Sequence, residues 1–166
     1  MSSPDRPEPQ RPEPHRPEPH RPEPAALAAW HAYRALPLLI DAEVARDLEQ
    51  DTGLSMADYD VLAAVTALAS DDTCIRVSGL AARLHWAHSR LSRHLGRMER
   101  RGLVAREPCE RDGRGDDVLL TPAGRAAHDE ATPVYQASVQ RHFAVLLSRE
   151  QLAALSGIEE TVTAGR

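Results

Sequence analysis

The fold is decided by residues 78–125, which read SGLAARLHWAHSRLSRHLGRMERRGLVAREPCERDGRGDDVLLTPAGR. Ser78 predicts the N-cap of a short helix, residues 85–87 a turn, and residues 88–101 a second helix that ends at Gly102. Two short apolar runs then flank a polar, glycine-containing tip, which predicts a β-hairpin. The order helix, turn, helix, hairpin is typical of a winged helix-turn-helix.

Helical patterns flank this stretch on both sides. Apolar residues recur at spacings of three and four over residues 27–48, which predicts a long helix, with Pro37 expected to kink it or to begin a second segment. Ser55 predicts the start of the next helix. After the hairpin, Thr121 and Ser148 predict two further helix starts. We therefore expect a mainly α protein of the α+β class, with long N- and C-terminal helices around the winged part.

The first 24 residues differ in composition from the rest of the chain. They hold nine of the 13 prolines and repeat Arg-Pro-Glu-Pro four times. Prolines at alternate positions remove backbone donors and oppose both helix and strand, so residues 1–24 are predicted to be a disordered tail that leans towards polyproline II. The remaining residues, 25–166, are enough for one ordinary domain.

Charge is distributed unevenly along the chain. The formal net charge is −5, which by itself argues against nucleic acid as a partner. Residues 76–114, however, hold ten Arg and four acidic residues, whereas the rest of 25–166 holds six Arg and 16 acidic residues. A basic centre in an acidic body is the electrostatic pattern of a localised nucleic-acid interface.

The predicted helix at 88–101 carries much of this basic charge. Leu91, Leu95 and Met98 share one face, which we expect to be buried. The other faces are available to a DNA groove, where arginine binds guanine O6 and N7. They carry one serine and four arginines: Ser89, Arg90, Arg93, Arg97 and Arg100.

At these positions the sequence resembles the MarR family of bacterial winged-helix repressors. The resemblance is carried by LAARL at 80–84, SRLSR at 89–93, MERRGLV at 98–104, DGRG at 112–115 and LTPAGR at 120–125. It implies a homodimer whose first and last helices interleave and whose two winged domains bind a palindromic operator in double-stranded DNA. It also implies that Arg114 reaches the minor groove while Asp112 orients it or pairs with it.

The resemblance divides residues 25–166 into dimerisation helices, at 25–50 and 122–163, and a DNA-binding winged part at 55–121. The candidate DNA contacts within the winged part are His88, Ser89, Arg90, Ser92, Arg93, Arg97, Arg111, Asp112 and Arg114.

Some positions depart from the family pattern. Ala87 stands where a polar N-cap is expected, and His88 stands where a permanent cation is common, which makes that contact pH-sensitive. Asp116 and Asp117 follow the tip of the hairpin, where we expect their charge to repel phosphates and weaken docking of the wing.

Proteins similar to this family commonly release DNA when a small aromatic or phenolic anion binds to them. Trp30, His31, Tyr33 and Arg34 form an aromatic and cationic set on the first helix that suits such an anion. Alternatively, Trp30 and Tyr33 belong to the dimer core while His31 and Arg34 face solvent.

Two other functions stay open. A thiol-based redox-sensing repressor needs an exposed, activated cysteine, and the candidates are Cys74 and Cys109. A winged helix used as a protein-interaction module would bind no duplex. The sequence contains none of the common enzyme motifs and no dense metal-ligand cluster, so we expect neither an enzyme nor a cofactor. No stretch approaches the roughly 18 consecutive apolar residues of a membrane span, and we expect a cytoplasmic protein.

Overall fold

The computed structural model describes residues 21–69, 75–108 and 116–165. Its elements, in chain order, are α1 (Pro24–Thr52), α2 (Met56–Leu68), α3 (Val77–Arg83), α4 (His88–Arg100), β1 (Val104–Pro108), β2 (Asp116–Leu120), α5 (Pro122–His142), a 3-10 turn (Ala144–Leu146) and α6 (Arg149–Ala164). Strands β1 and β2 pair as an antiparallel hairpin. The predicted class, a mainly helical winged helix-turn-helix, is confirmed.

The chain divides between Arg34 and Ala35 into two compact units, and the division falls inside α1. Pro37 also lies within α1, so the alternative that it begins a second segment is wrong. A proline removes one backbone donor, and the other hydrogen bonds of a 29-residue helix continue past it. Of the predicted tail, residues 1–20 lie outside the described part. Within the described part, no helix combines the length and the apolar character needed to span a membrane.

The hydrophobic core belongs to the second unit. Its centre consists of side chains with at most 1% of their surface exposed: Leu48, Val61, Leu62, Val65, Leu80, Leu91, Leu95, Met98, Val118 and Ala131. The predicted burial of Leu91, Leu95 and Met98 is therefore confirmed. A fully buried leucine or methionine side chain contributes roughly 1.5–3 kcal/mol, so these three side chains anchor α4 to the core.

Helix boundaries follow local capping chemistry in most places. Side-chain oxygens of Ser55, Thr121 and Ser148 each accept a backbone N–H from the first turn of the helix that follows, as predicted. Gly102 follows the end of α4 with a φ of +71°, a left-handed conformation that favours glycine. Ala87 precedes α4 without a side-chain cap, which confirms the predicted lack of one.

The start of α3 differs from the prediction. Ser78 is not its cap, because the helix begins at Val77 and its N-cap position is Arg76, whose side chain does not cap the helix. Strand β2 holds the preceding residues instead: the Val118 N–H donates to the Ile75 carbonyl at 2.9 Å. This start is set by tertiary pairing rather than by a local cap.

The first turn of α5 packs directly against the chain between α4 and β1. The Thr121 hydroxyl donates to the Gly102 carbonyl at 2.6 Å and accepts from the Gly124 N–H at 2.9 Å. A Cβ atom on Gly124 would lie 1.8 Å from the carbonyl oxygen of Leu103. The LTPAGR motif therefore joins the hairpin and α5 to the end of α4, at a distance that only glycine permits.

Candidate nucleic-acid interface

Helix α4 presents three faces that differ in their surroundings. The buried face consists of Leu91, Leu95 and Met98. The open face carries Ser89, Arg93 and Arg100, which lie within 40° of one another around a helix that turns 100° per residue. The pocket face carries Arg90, His94, Arg97 and the C-cap residue Arg101, and all four line a pocket of about 430 Å³ beside the start of α2.

The open face is the part of α4 that is free to meet a partner. Ser89, Arg93 and Arg100 are exposed. Among the described residues, nothing forms a hydrogen bond or an ion pair with the Arg93 or Arg100 guanidinium. Ala87 supplies no side-chain cap, so among the described residues no capping side chain meets the first N–H groups of α4, and such groups attract phosphate. A cationic stripe beside an uncapped helix start suits a polyanion.

The arginines of the pocket face are engaged within the protein. The Arg90 guanidinium carbon lies 4.1 Å from the centre of the Trp86 ring, a cation–π contact. Arg97 approaches the Nδ1 atom of His94 at 2.7 Å. From the sequence, Arg90, Arg93 and Arg97 are equivalent candidate DNA contacts. In the structure, the guanidinium groups of Arg90 and Arg97 contact Trp86 and His94, whereas that of Arg93 has no such contact among the described residues.

Asp58 and His94 are functional candidates that the sequence analysis did not identify. Both residues are buried, with 4% and 6% of their surface exposed. Asp58 accepts hydrogen bonds from the Ser55 backbone and hydroxyl and from the Arg101 guanidinium at 2.6 Å. Burial opposes its ionisation, but the hydrogen bonds from Arg101 and Ser55 outweigh that effect and hold the pKa of Asp58 below its ordinary value. The pairing of Asp58 with Ser55 is local in the sequence, whereas its contact with Arg101 arises only in the folded chain.

His94 lies between Asp58 and Arg97. Its Nε2 atom is 3.1 Å from Oδ1 of Asp58, an electrostatically favourable approach without the alignment of a hydrogen bond. Burial lowers the pKa of His94, the nearby Asp58 carboxylate partly offsets this effect, and the positive charge of Arg97 adds to the lowering. The ring also meets Trp86 edge-on at 5.6 Å. His94 is therefore a neutral, buried imidazole below a basic helix.

The remaining predicted DNA contacts are only partly described. His88 is exposed at the first position of α4 and Ser92 is half-buried. Arg111, Asp112 and Arg114 lie outside the described residues, as do Cys74 and Cys109.

Asp117 has a structural role in addition to its place beside the wing. It pairs with Glu107 in the hairpin, and its carboxylate accepts the Ile75 N–H. It also forms the bridge to Arg76 that ties β2 to the start of α3. The carboxylate that we expected to repel phosphates is thus turned towards the backbone of its own chain.

The candidate effector residues lie in the first unit. Trp30 and Tyr33 are exposed, and their ring centres are 5.7 Å apart. The Arg34 guanidinium carbon lies 6.0 Å from the centre of the Trp30 ring. The structure brings these three side chains together, while His31 is exposed on the same helix without a contact to them.

The chain matches the family model of the MarR family over residues 52–115. It is 32% identical to AbsC, a MarR family transcriptional regulator from Streptomyces coelicolor, with 89% of this chain and 97% of that chain covered and a TM-score of 0.78. No curated protein matches the chain.

Two further similar structures were solved in complex with DNA. Sco3205, a MarR family transcriptional regulator from Streptomyces coelicolor, is 27% identical, with 90% of this chain and 92% of that chain covered and a TM-score of 0.79. The transcriptional regulator MOSR from M. tuberculosis is 28% identical, with 81% and 98% covered and a TM-score of 0.58. The fold, the motifs and the similarity to AbsC over nearly its whole length lead to one conclusion: the chain belongs to the MarR family of transcriptional regulators.

Proposed function

We propose that the protein is a sequence-specific DNA-binding repressor. The observation that carries the proposal is the open face of α4, where Arg93 and Arg100 are exposed and no described residue binds their guanidinium groups, while the opposite face is buried in the core. An α-helix fits the major groove of B-DNA, and arginine there recognises guanine. The DNA complexes of Sco3205 and MOSR support the proposal. The repressor role is the one that the family resemblance implies.

In this proposal residues 55–121 bind DNA and residues 25–50 and 122–163 dimerise. Arg93 is the main base-reading residue, and His88, Ser89 and Ser92 lie near it on α4. Arg111, Asp112 and Arg114, which lie between the two strands in the sequence, also contact DNA. Arg90 and Arg97, which are held by Trp86 and His94, have a lesser role at neutral pH.

Selection of bound sites from random duplexes tests this function. We expect a palindromic site, and we expect affinity for it to fall steeply with salt, because each phosphate contact releases condensed counterions. Fluorescence anisotropy at several salt concentrations, with a shuffled duplex of the same composition as the control, measures both properties. A protein-interaction module would bind neither duplex at any salt concentration.

We also propose that a small aromatic anion releases the DNA by binding at Trp30, Tyr33 and Arg34. Two exposed rings beside a guanidinium offer stacking and charge to an aromatic carboxylate. In the anisotropy assay, benzoate is therefore expected to weaken duplex binding, and Arg34→Ala to reduce that effect. Arg46→Ala, another exposed arginine of α1, is the matched control. Equal benzoate responses in both variants would place the effector elsewhere.

We further propose that two copies of the chain form a homodimer. Within the second unit, several large apolar side chains of the terminal helices are exposed. They include Leu38, Leu39, Ile158 and Val162, which are 54–76% exposed. Exposed apolar surface of this extent marks an association surface, because water disfavours it.

Sedimentation at micromolar concentration is expected to show a dimer for the parent protein. Replacing Ile158 and Val162 together with arginine should shift it towards monomer, because charges cannot be buried unpaired. The single variant Ser156→Arg, on a different side of α6, should remain dimeric. A folded monomer for the parent protein would contradict the proposed homodimer.

A further inference from the structure

The contact between Arg97 and His94 determines which nitrogen of the ring carries the proton. A guanidinium can only donate hydrogen bonds, so the Nδ1 atom that it approaches at 2.7 Å must accept. The neutral His94 ring therefore carries its proton on Nε2, the atom that lies 3.1 Å from the Asp58 carboxylate. In this state the ring sits between a donor on one side and an anion on the other.

Protonation of the ring weakens its contact with Arg97 and strengthens its contact with Asp58. A second proton on Nδ1 would face the N–H groups of Arg97, which places two donors and two positive charges against each other. On the other side, Nε2 keeps its proton and its approach to Asp58 becomes an ion pair. Arg97 is exposed, so its long side chain can turn to solvent, whereas the ring of His94 is buried.

We propose that His94 is a positioning residue that holds Arg97 against the pocket face when neutral and releases it to the DNA when protonated. The inference rests on the proposed DNA-binding function and adds a regulatory input to it. Acidification would thus increase the number of α4 arginines that meet phosphates, without any change in the buried face of the helix.

The charged groups around the ring come from three elements. Helix α2 contributes Asp58, whose carboxylate is also held by Arg101. Helix α4 contributes Arg97 and, more distantly, Arg90. Helix α1 contributes Glu49, which lines the same pocket. The positive groups on α4 oppose protonation of His94 and the Asp58 carboxylate favours it.

The direction of the pH effect follows from the lowered pKa of His94. The folded state binds the proton less readily than the unfolded chain, whose histidines titrate near 6.5. As pH falls below about 6.5, the unfolded chain takes up the proton first and the free energy of unfolding decreases. Release of Arg97 is expected only at a still lower pH, as the pH passes through the lowered pKa of His94 in the folded protein.

The experiment measures how steeply duplex affinity depends on salt at about pH 7.5 and at a lower pH, chosen below the His94 midpoint that NMR gives for the free protein. All proteins carry His88→Asn, so that His94 is the only histidine left in the sequence of α4. The slope of log affinity against log salt counts phosphate contacts. We expect it to steepen by about one per protomer at the lower pH, because one arginine is added to the interface.

Two variants test whether the contact between His94 and Arg97 causes the steeper salt slope. In His94→Asn the amide oxygen can stand in for Nδ1 as the acceptor but cannot titrate, so the slope should be the same at both pH values. The Arg97→Gln variant leaves the core unchanged, because Arg97 is exposed. In this variant the salt slope should not steepen at the lower pH, whatever its affinity at neutral pH. Additional slope that persists in either variant, or a parent slope that does not change with pH, would overturn the inference while leaving DNA binding in place.

A measurement on the free protein separates this inference from the proposed function. Ring-nitrogen NMR is expected to show His94 protonated on Nε2 at neutral pH, and the Arg97 side-chain resonances should shift with the His94 midpoint on acidification. A protein that binds no duplex would refute the proposed function, and these spectra would still test the contact. If the Arg97 resonances do not change as His94 titrates, the inference is wrong.

Discussion

Replacing Gly124 with alanine is expected to lower the free energy of unfolding by about 3 kcal/mol or more. Overpacked positions cost about 1–3 kcal/mol in typical cores, where a flexible side chain can move aside. Here the obstacle is backbone: the new Cβ atom would lie 1.8 Å from the Leu103 carbonyl oxygen. Leu103 lies just after the end of α4, so relief of the clash must move either α5 or the segment that follows α4.

Gly157→Ala is the matched control for this substitution. Gly157 also lies inside a helix, and a Cβ atom there would meet nothing within 4 Å. Alanine is favoured over glycine in a helix by roughly 0.5–1 kcal/mol, so this variant should be slightly more stable than the parent. Urea denaturation at one protein concentration measures both, since the stability of a dimer depends on concentration. A Gly124→Ala protein as stable as the parent would mean that α5 does not pack on Leu103 as described.

The second large effect is expected for Arg93→Ala, which should weaken binding to the selected operator by about 1–3 kcal/mol and relax the preference at one base position. Arg93 is exposed on the open face, and no described residue engages its guanidinium. Arg90→Ala should cost less, because the guanidinium of Arg90 already stacks on Trp86 and would have to give up that contact to meet a base.

The measurement is a comparison of operator and shuffled duplexes by anisotropy at one salt concentration. Arg149→Ala, which removes an exposed arginine at the start of α6, controls for the loss of one positive charge and should change affinity little. Equal weakening of Arg93→Ala on both duplexes would assign Arg93 to a phosphate instead of a base. If Arg90→Ala proved the more damaging of the two, the division of α4 into an open face and a pocket face would not describe the DNA complex.

The sequence by itself determined the order of the elements and most of their ends. Apolar spacing identified the buried face of α4, and capping chemistry identified the starts of α2, α5 and α6. These features depend on interactions within one or two helical turns, which a linear pattern records directly. The motif LTPAGR at 120–125 also identified the family, because its threonine and glycine meet strict local demands at the start of α5.

Only the tertiary structure decided which arginines of α4 are available. In the sequence Arg90, Arg93 and Arg97 are equivalent cations, and their roles separate when Trp86 stacks on one and His94 accepts from another. His94 in turn is placed by Asp58, on a different helix, and the same carboxylate binds Arg101, 43 residues away. Periodicity shows which side chains share a face, but not which residues distant in sequence lie opposite that face, because packing of the core sets that choice. The start of α3 at Val77 has the same origin, since a strand that follows it by about 40 residues holds the backbone before it.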